Sequence, residues 1–265
     1  MPRTLLGVAG FPVAHSRSPA MHNAALAEMG IDWLYVPLPL PPERFAETVR
    51  ALPASGFRGV NVTVPHKLAA YGMADEHTTA AAAIGAANTL SFTDGRIIAD
   101  NTDAGGFLDA LAVPTGTLRA LVLGAGGSAR AVVHALQETG TREVSVWNRT
   151  PARAEELAAE LGARHSEHPG PADLLVNCTS VGLDPSTTQE QALSTLGLVG
   201  YEPPPIVVDL VYGAGPTALA RWARHGGARV VDGLEVLVHQ GARSLEGWTA
   251  RSVPVNTMRR AAGGR

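Results

Sequence analysis

Residues 119–136 read RALVLGAGGSARAVVHAL, an apolar run followed by a glycine turn and a helical pattern. Gly124, Gly126 and Ala129 satisfy the pattern G-x-G-x-x-G/A. The first glycine permits a tight turn, the second lets the backbone approach a pyrophosphate, and the alanine allows the helix to pack closely on the strand. The helix N-terminus would point free N–H groups at the phosphates. The stretch predicts a dinucleotide-binding α/β fold, with a merely structural turn as the alternative.

The end of the next apolar run indicates which dinucleotide is preferred. EVSVW at 143–147 is followed by Asn148, Arg149 and Thr150, and Arg153 lies within reach. A site that prefers NAD places an acidic residue here to hold the ribose 2′-hydroxyl. A guanidinium instead favours a 2′-phosphate, so the pattern predicts NADP. The alternative is that both arginines are solvated surface charges.

Outward from this unit, strand-like runs alternate with helical patterns of ten to fifteen residues. This alternation is typical of a mostly parallel sheet with helices on both sides. The alanine-rich stretch TTAAAAIGAAN is expected to be a helix that ends near Gly85, and residues 183–205 are expected to be a loop or insert. The remaining pairs of strand and helix are LLGVAGF with a helix from Pro19, WLYVPL with PPERFAETVRAL, GVNVTV with KLAAYG, EVSVWN with PARAEELAAELG, and PIVVDLVY with PTALARWARHG.

Composition excludes several classes of protein. The chain has 265 residues, 45% hydrophobic and 17% charged, which is typical of a globular protein. Its net charge of −3 argues against nucleic acid as a partner. One cysteine, Cys178, permits neither an intrachain disulfide nor a zinc cluster, and we expect no metal and a reducing cytoplasm. No apolar run reaches membrane-spanning length, and the N-terminal TLLGVAGF is interpreted as a buried strand rather than a secretory signal.

Lys67, in the stretch NVTVPHK at 61–67, is the only lysine in the chain. The alternation in residues 60–64 predicts that three valines face one way while Asn61 and Thr63 face the other. Pro65 is expected to end the strand, which would bring Asn61, Thr63 and Lys67 to the carboxyl end where α/β sheets bind ligands. The alternative is a half-exposed strand whose polar residues face water.

Two further places carry polar clusters. In HSRSPAMHN, Ser18 fits a helix N-cap and Pro19 the first helical position, but a cap leaves Ser16 unexplained. Two hydroxyls at a helix N-terminus can also bind a carboxylate. The stretches GAANTLSF and ADNTDAGGF supply Asn88-Thr89 and Asn101-Thr102-Asp103, where Asp103 could equally be an N-cap.

In combination these stretches resemble the shikimate dehydrogenase family, in order and across nearly the whole chain. The matching stretches are GFPVAHSRSPAMHN, NVTVPHK, GAANTL, NTDAGGF, GAGGSAR, NRT, NCTS, DLVY and GLEVLVHQGARSLEGWT. The resemblance implies an α/β substrate domain from both chain ends (1–102 and 235–265), a Rossmann-type NADP domain (103–234) and a cleft between them. It implies reversible NADPH-dependent reduction of 3-dehydroshikimate to shikimate, in chorismate and aromatic amino acid biosynthesis.

The resemblance also implies roles for individual residues. Lys67 and Asp103 match the catalytic pair. The residues expected to bind substrate are Ser16, Ser18 and Tyr212 at the carboxylate, and Asn61, Thr63, Asn88 and Gln240 at the ring hydroxyls. The residues expected to bind the cofactor are Gly124, Ala125, Gly126, Gly127, Ser128, Ala129, Asn148, Arg149, Thr150, Arg153, Thr179, Val211 and Gly233. The sequence departs from the family pattern at Asp100, at residues 213–215 and at Ala250, and the last two departures concern loop geometry rather than the reaction.

Lysine offers something that arginine does not. Arginine stabilises charge but does not readily release a proton, whereas lysine does both. Lys67 is therefore expected to stabilise the developing oxyanion and donate the proton, with Asp103 orienting it. Two rival functions remain at this point: a quinate/shikimate or aminoshikimate paralogue, and a non-catalytic NADP-binding sensor. A small-molecule substrate is expected, and the sequence leaves monomer and homodimer open.

Overall fold

The structure is a computed structural model that describes residues 3–213 and 215–263. It contains two compact units: the described residues up to Gly106 together with those from Leu237 onward, and residues Phe107–Val236. The sequence placed the corresponding boundaries at 102/103 and 234/235. None of the helices in the described ranges is long and apolar enough to cross a membrane.

The first unit contains one six-stranded mixed sheet in the order β2-β1-β3-β5-β6-β4. Strands β1, β2 and β3 run parallel, whereas β5 is antiparallel to both β3 and β6. The strands are β1 (Thr4–Gly10), β2 (Trp33–Pro39), β3 (Phe57–Val62), β4 (Glu76–His77), β5 (Thr89–Thr93) and β6 (Arg96–Asp100). The helices are α1 (Ser18–Glu28), α2 (Pro42–Ala51), α3 (Lys67–Met73), α4 (Thr79–Ile84), α10 (Gly233–Thr249, which begins in the second unit) and α11 (Val255–Ala261), and Leu52–Ser55 form a 3₁₀ turn.

The hairpin of β5 and β6 positions the polar residues of the first unit. Its two-residue turn is Asp94-Gly95, with φ of 52° and 74°. Positive φ at both central residues matches the twist of a tight hairpin, and Asp-Gly is a favoured sequence for it. Since Thr89 pairs with Asp100 at the open end, Asn88 and the residues after Asp100 come together. The sequence contained this turn signal, but the hairpin was not predicted.

The second unit begins with α5 (Asp103–Leu111, whose first turn belongs to the first unit) and contains a fully parallel sheet in the order β12-β11-β10-β7-β8-β9. The strand order reverses between β7 and β10, and such a switch point is where doubly wound sheets bind nucleotides. The strands are β7 (Arg119–Leu123), β8 (Glu143–Trp147), β9 (Arg164–His165), β10 (Leu174–Asn177), β11 (Ile206–Asp209) and β12 (Arg229–Asp232). The helices are α6 (Gly127–Glu138), α7 (Pro151–Leu161), α8 (Gln189–Thr195) and α9 (Ala218–His225).

Three local expectations were wrong. Strand β3 ends at Val62, and Val64 is 51% exposed instead of facing the core with the other valines. Helix α1 begins at Ser18 itself, so Arg17 occupies the N-cap position, and its side chain makes no capping hydrogen bond. The segment 183–205 contains helix α8, because Thr188 and Gln191 form a reciprocal capping box that stabilises its first turn.

Helix α4 ends as expected, with Gly85 at its C-cap in the left-handed conformation (φ 68°).

Candidate active site

A buried ion pair lies at the centre of the polar cluster in the first unit. Lys67 is the first residue of α3, just after β3, and Asp103 is the first residue of α5, just after β6. Lys67 Nζ lies 2.6 Å from Asp103 Oδ2, and the two side chains are only 11% and 16% exposed. Because the pair is shielded from water, its attraction is much stronger than that of a surface salt bridge.

Asn88 holds the other oxygen of the Asp103 carboxylate. The main-chain N–H of Thr102 donates to Asn88 Oδ1 at 2.7 Å, which determines which way the amide points. Asn88 Nδ2 therefore faces Asp103 Oδ1 at 2.9 Å, and it also lies 3.0 Å from Gln240 Oε1. Gln240 is held in turn, since its Nε2 donates to the main-chain oxygen of Leu237 at 2.6 Å. The carboxylate thus accepts one hydrogen bond at each oxygen.

Asn61 lies beneath this cluster and is 5% exposed. Its Nδ2 donates to Thr89 Oγ1 at 3.0 Å and to the main-chain oxygen of Asn88 at 3.3 Å. Its Oδ1 accepts from the hydroxyl of Tyr35 at 2.8 Å. To bind a ring hydroxyl directly, Asn61 would have to exchange one of these bonds. Thr63 is half-buried, beyond the end of β3.

Ser16 and Ser18 lie at the start of α1. The main-chain N–H of Ser18 donates to Ser16 Oγ at 3.2 Å, and Ser18 is 4% exposed. They follow β1 just as Lys67 follows β3, and these two strands are parallel neighbours with Ala9 opposite Val62. Both groups of residues therefore follow carboxyl ends in the same sheet, where ligands bind. Tyr212 and Gly233 belong to the second unit.

A cavity of about 250 Å³ lies at the switch point of the second unit. Gly124 adopts φ of 111°, and a Cβ there would lie 3.2 Å from the carbonyl carbon of Cys178. Gly126 is different, since a Cβ there would meet no atom within 4 Å. The backbone at Gly126 is open to a ligand, and Ala129 is fully buried against the sheet. The lining residues are Gly124, Ala125, Gly126, Trp147, Asn148, Arg149, Arg153, Cys178, Thr179, Ser180, Val181, Thr195 and Leu196.

Two arginines border this cavity without a counter-ion. Arg149 and Arg153 are exposed, and neither guanidinium pairs with a carboxylate in the part of the chain that the structure describes. The lining residues include no acid. Unpaired guanidinium groups beside an open glycine turn suit a phosphate-bearing ligand. Thr195 and Leu196, from the end of α8, also border the cavity, which sequence reasoning did not anticipate. Of the expected cofactor residues, Gly127, Ser128, Ala129, Thr150, Val211 and Gly233 do not border it.

Asn177 and Asp209 support the wall of the cavity, and both were missed from the sequence. Asn177 Oδ1 accepts from the Thr179 hydroxyl at 2.7 Å, and Asn177 Nδ2 donates to Asp209 Oδ1 at 2.9 Å. Burial raises the pKa of Asp209 to about 6, and the hydrogen bonds from Thr217, Asn177 and Val211 offset this only in part. Each is the polar last residue of an apolar strand, Asn177 in NCTS and Asp209 in DLVY, and this pattern could have identified them from the sequence.

A nucleotide-type cavity in one unit and a buried lysine–aspartate pair in the other define a dinucleotide-dependent oxidoreductase. Family profiles match the chain in three places: "Shikimate dehydrogenase substrate binding domain" at residues 8–90, "Shikimate / quinate 5-dehydrogenase" at 111–175, and "Shikimate 5'-dehydrogenase C-terminal domain" at 233–262.

Individual relatives agree with these profiles. Shikimate dehydrogenase (NADP(+)) of Brucella canis is 45% identical over 91% of this chain and 87% of its own. The Thermus thermophilus shikimate 5-dehydrogenase, solved with NADP(H) and shikimate, is 41% identical and covers 98% of each chain at a TM-score of 0.86. The Aquifex aeolicus enzyme has a TM-score of 0.88 at 33% identity, over 98% of this chain and 97% of its own. The chain belongs to the shikimate dehydrogenase family.

Proposed function

We propose that this protein catalyses the reversible NADPH-dependent reduction of 3-dehydroshikimate to shikimate, a step toward chorismate and the aromatic amino acids. The observation that carries the proposal is the Lys67–Asp103 pair at 2.6 Å with Asn88 on the second carboxylate oxygen. In this proposal Lys67 is the proton donor, Asp103 orients it and the Asn88 amide binds a ring hydroxyl, and the three side chains lie in one cluster. The names of the relatives and the shikimate bound in the Thermus thermophilus structure support the same substrate.

Substrate binding is proposed to use both groups of residues in the first unit. Ser16 and Ser18 would hold the carboxylate, joined by Tyr212. Thr63, Asn88 and Gln240 would hold the ring hydroxyls, and Asn61 would bind one by exchanging a bond or act by holding Asn88. A buried site that pairs each hydroxyl rejects an analogue lacking one, because a polar group would be left unpaired.

Proton transfer is proposed to depend on Lys67. When bound, NADPH would supply the hydride for the ketone carbon. The Lys67 ammonium stabilises negative charge on the ketone oxygen and transfers its proton to that oxygen. Asp103, holding Nζ at 2.6 Å, restricts the direction in which the ammonium points. In the reverse direction the neutral amine accepts the proton from the shikimate hydroxyl.

Cofactor binding is proposed at the cavity of the second unit. The open backbone at Gly126 would receive the pyrophosphate, and Arg149 with Arg153 would bind the 2′-phosphate. Thr150, Gly127 and Ser128 begin or precede the neighbouring helices and would assist through main-chain N–H groups. The cytoplasm is proposed as the location, because the single cysteine suits a reducing compartment.

One assay tests the proposal. Initial rates of oxidation are measured with shikimate or quinate, each with NADP or NAD. Shikimate with NADP should give the highest kcat/KM. A higher value for quinate, or for NAD, would assign the protein to a paralogous activity. NADP binding without turnover of either substrate would indicate a non-catalytic sensor.

A further inference from the structure

We infer that Tyr35 is a positioning residue for the proposed reaction, holding the Asp103 carboxylate against Lys67 through three intervening side chains. The inference rests on the proposed function for its kinetic consequence. Tyr35 lies on β2 and is 1% exposed, with its hydroxyl 2.8 Å from Asn61 Oδ1. Strand β1 separates β2 from β3, so this bond reaches over a strand to the polar cluster.

The position of the Tyr35 ring is strongly restrained. Its main-chain N–H and oxygen both bond to the side chain of Asn23 at 2.9 Å. Its ring stacks on His22 with centroids 4.0 Å apart, and His22 Nδ1 lies 2.8 Å from the main-chain oxygen of Ser18. Burial lowers the pKa of His22 to about 4, so this imidazole is neutral at physiological pH. Tyr35 therefore presents its hydroxyl from a rigid support.

The direction of the first hydrogen bond follows from the main chain. The oxygen of Asn88 is only an acceptor, so the Asn61 atom facing it at 3.3 Å must be Nδ2. Asn61 Oδ1 then faces Tyr35, and the tyrosine hydroxyl must donate. The other donor to this oxygen is the Ser244 hydroxyl at 3.4 Å, which also lies 2.9 Å from the main-chain oxygen of Gly241. The Tyr35 bond is therefore the stronger of the two.

The remaining hydrogen bonds, from Asn61 to the Asp103 carboxylate, have the same donor-to-acceptor direction. Thr89 Oγ1 accepts from Asn61 Nδ2 at 3.0 Å, which leaves its proton free to point at Asn88 Oδ1, 3.1 Å away. Asn88 Nδ2 then donates to Asp103 Oδ1 at 2.9 Å. Every donor in the chain from Tyr35 to Asn88 points toward Asp103. Hydrogen bonds aligned in this way polarise and strengthen one another, so losing the first loosens the last.

Tyr35→Phe removes the hydroxyl and keeps the ring. We expect kcat for shikimate oxidation to fall about tenfold, since one hydrogen bond of typical net strength corresponds to roughly that factor. The KM for NADP should stay within about twofold, because no residue of this hydrogen-bonded chain is among those proposed to bind the cofactor. In an Asn61→Ala background, adding Tyr35→Phe should cost no further kcat, because the link is already broken.

The matched control is Thr115→Val, which removes another buried hydroxyl, bonded to Thr139 Oγ1 at 2.8 Å in the second unit. It should lower stability without changing kcat. A Tyr35→Phe enzyme that keeps its kcat within about twofold of wild type would overturn the inference. So would a full tenfold loss in the Asn61→Ala background, since the effect would then not pass through Asn61.

A readout independent of activity separates this inference from the proposed function. The Thr102 amide donates to Asn88 Oδ1, so its hydrogen exchange should quicken at least severalfold in Tyr35→Phe and stay unchanged in Thr115→Val. If wild type does not oxidise shikimate, the proposed function fails and this exchange still decides the network. If Tyr35→Phe does not fold, Thr89→Val breaks the same chain further along. Unchanged Thr102 exchange in that variant would overturn the inference.

Discussion

The two proposed ligand sites of this protein are built in different ways. In the first unit, Lys67, Asp103, Asn88 and Gln240 are linked by side-chain hydrogen bonds, and main-chain contacts orient the amides of Asn88 and Gln240. In the second unit, the cavity is bordered by an open glycine turn and by exposed arginines without a carboxylate partner in the described ranges. The first site consists of side chains that are hydrogen-bonded to one another. The second consists of exposed main chain and of arginine side chains that have no carboxylate partner in the described residues.

The difference follows from what each ligand requires. A small ring with several hydroxyls is recognised by donors and acceptors held at fixed positions, because each unpaired group costs free energy. A dinucleotide offers phosphates, which bind main-chain N–H groups and guanidinium groups without a prebuilt network. Substitutions in the first unit should therefore alter kcat, whereas substitutions around the cavity should alter cofactor affinity.

The largest effect is expected at Lys67. Lys67→Arg keeps the charge but removes the accessible proton, so kcat should fall about a hundredfold or more. Arg44→Lys exchanges the same residue types on an exposed helix and should leave kcat unchanged. Near-wild-type turnover of Lys67→Arg at neutral pH would contradict the proton-transfer role.

A labelling experiment checks where Lys67 lies. An amine reagent should modify only the α-amino group and Lys67, the only lysine of the chain. Bound shikimate should protect Lys67. Equal modification with and without shikimate would contradict its placement in the substrate site.

The next largest effect concerns the stability of the second unit. The folded pKa of Asp209, about 6, lies above the ordinary value of 3.8. The contribution of Asp209 to the stability of the folded unit is therefore fully present below pH 3.8, and it is lost as the pH rises through 6. Asp209→Asn should stabilise this unit by roughly 2 kcal/mol at pH 8 and have little effect near pH 4. Hydrogen exchange of the strand amides from β7 to β12 measures this.

Asp232→Asn is the matched control on the neighbouring strand. Asp232 contributes the smallest of the causes that shift the pKa of Asp209, and burial contributes the largest. The control should therefore change stability much less. If both variants behave alike, or if Asp209→Asn destabilises the unit at pH 8, the buried carboxylate does not carry this pH dependence.

A smaller effect is expected at the arginines of the cavity. Arg149→Ala should raise the KM for NADP about tenfold and leave the kinetics with NAD nearly unchanged, because one charged hydrogen-bonding partner is lost. Arg224→Ala, on α9 and away from the cavity lining, should change neither the KM for NADP nor the kinetics with NAD. A strong preference of the wild-type enzyme for NAD would overturn the NADP assignment.

The smallest effect is expected at the cap of α8. Thr188→Ala removes half of the capping box and should destabilise this helix by about 1 kcal/mol. Because α8 ends at the cavity, the KM for NADP should rise by no more than about threefold. Thr187→Ala, next to the cap, should change neither the exchange rates of α8 nor the KM. Equal effects in both variants would contradict the capping role.

Features that depend on residues a few positions apart could be predicted from the sequence, whereas features that depend on distant residues could not. The glycine turn at 124–129 and the alternating strands and helices could be predicted because each depends on residues a few positions apart. The Asp94-Gly95 hairpin and the Thr188 capping box are equally local, so both were predictable and were overlooked. The proposed role of Tyr35 was not predictable, because nothing in the sequence around it distinguishes a positioning residue from an ordinary core residue.

By itself, the sequence determined which residue types were available and where the chain turns: one lysine, a glycine turn at 124–129, and Asn148-Arg149-Thr150 directly after β8. Only the tertiary structure decided which of them meet. Asn88 bonds to Gln240 across 152 positions, and Tyr35 to Asn61 across 26. The physical reason is range: backbone conformation responds to neighbouring residues, whereas hydrogen-bond partners, amide orientation and the raised pKa of Asp209 depend on burial created by packing distant segments together.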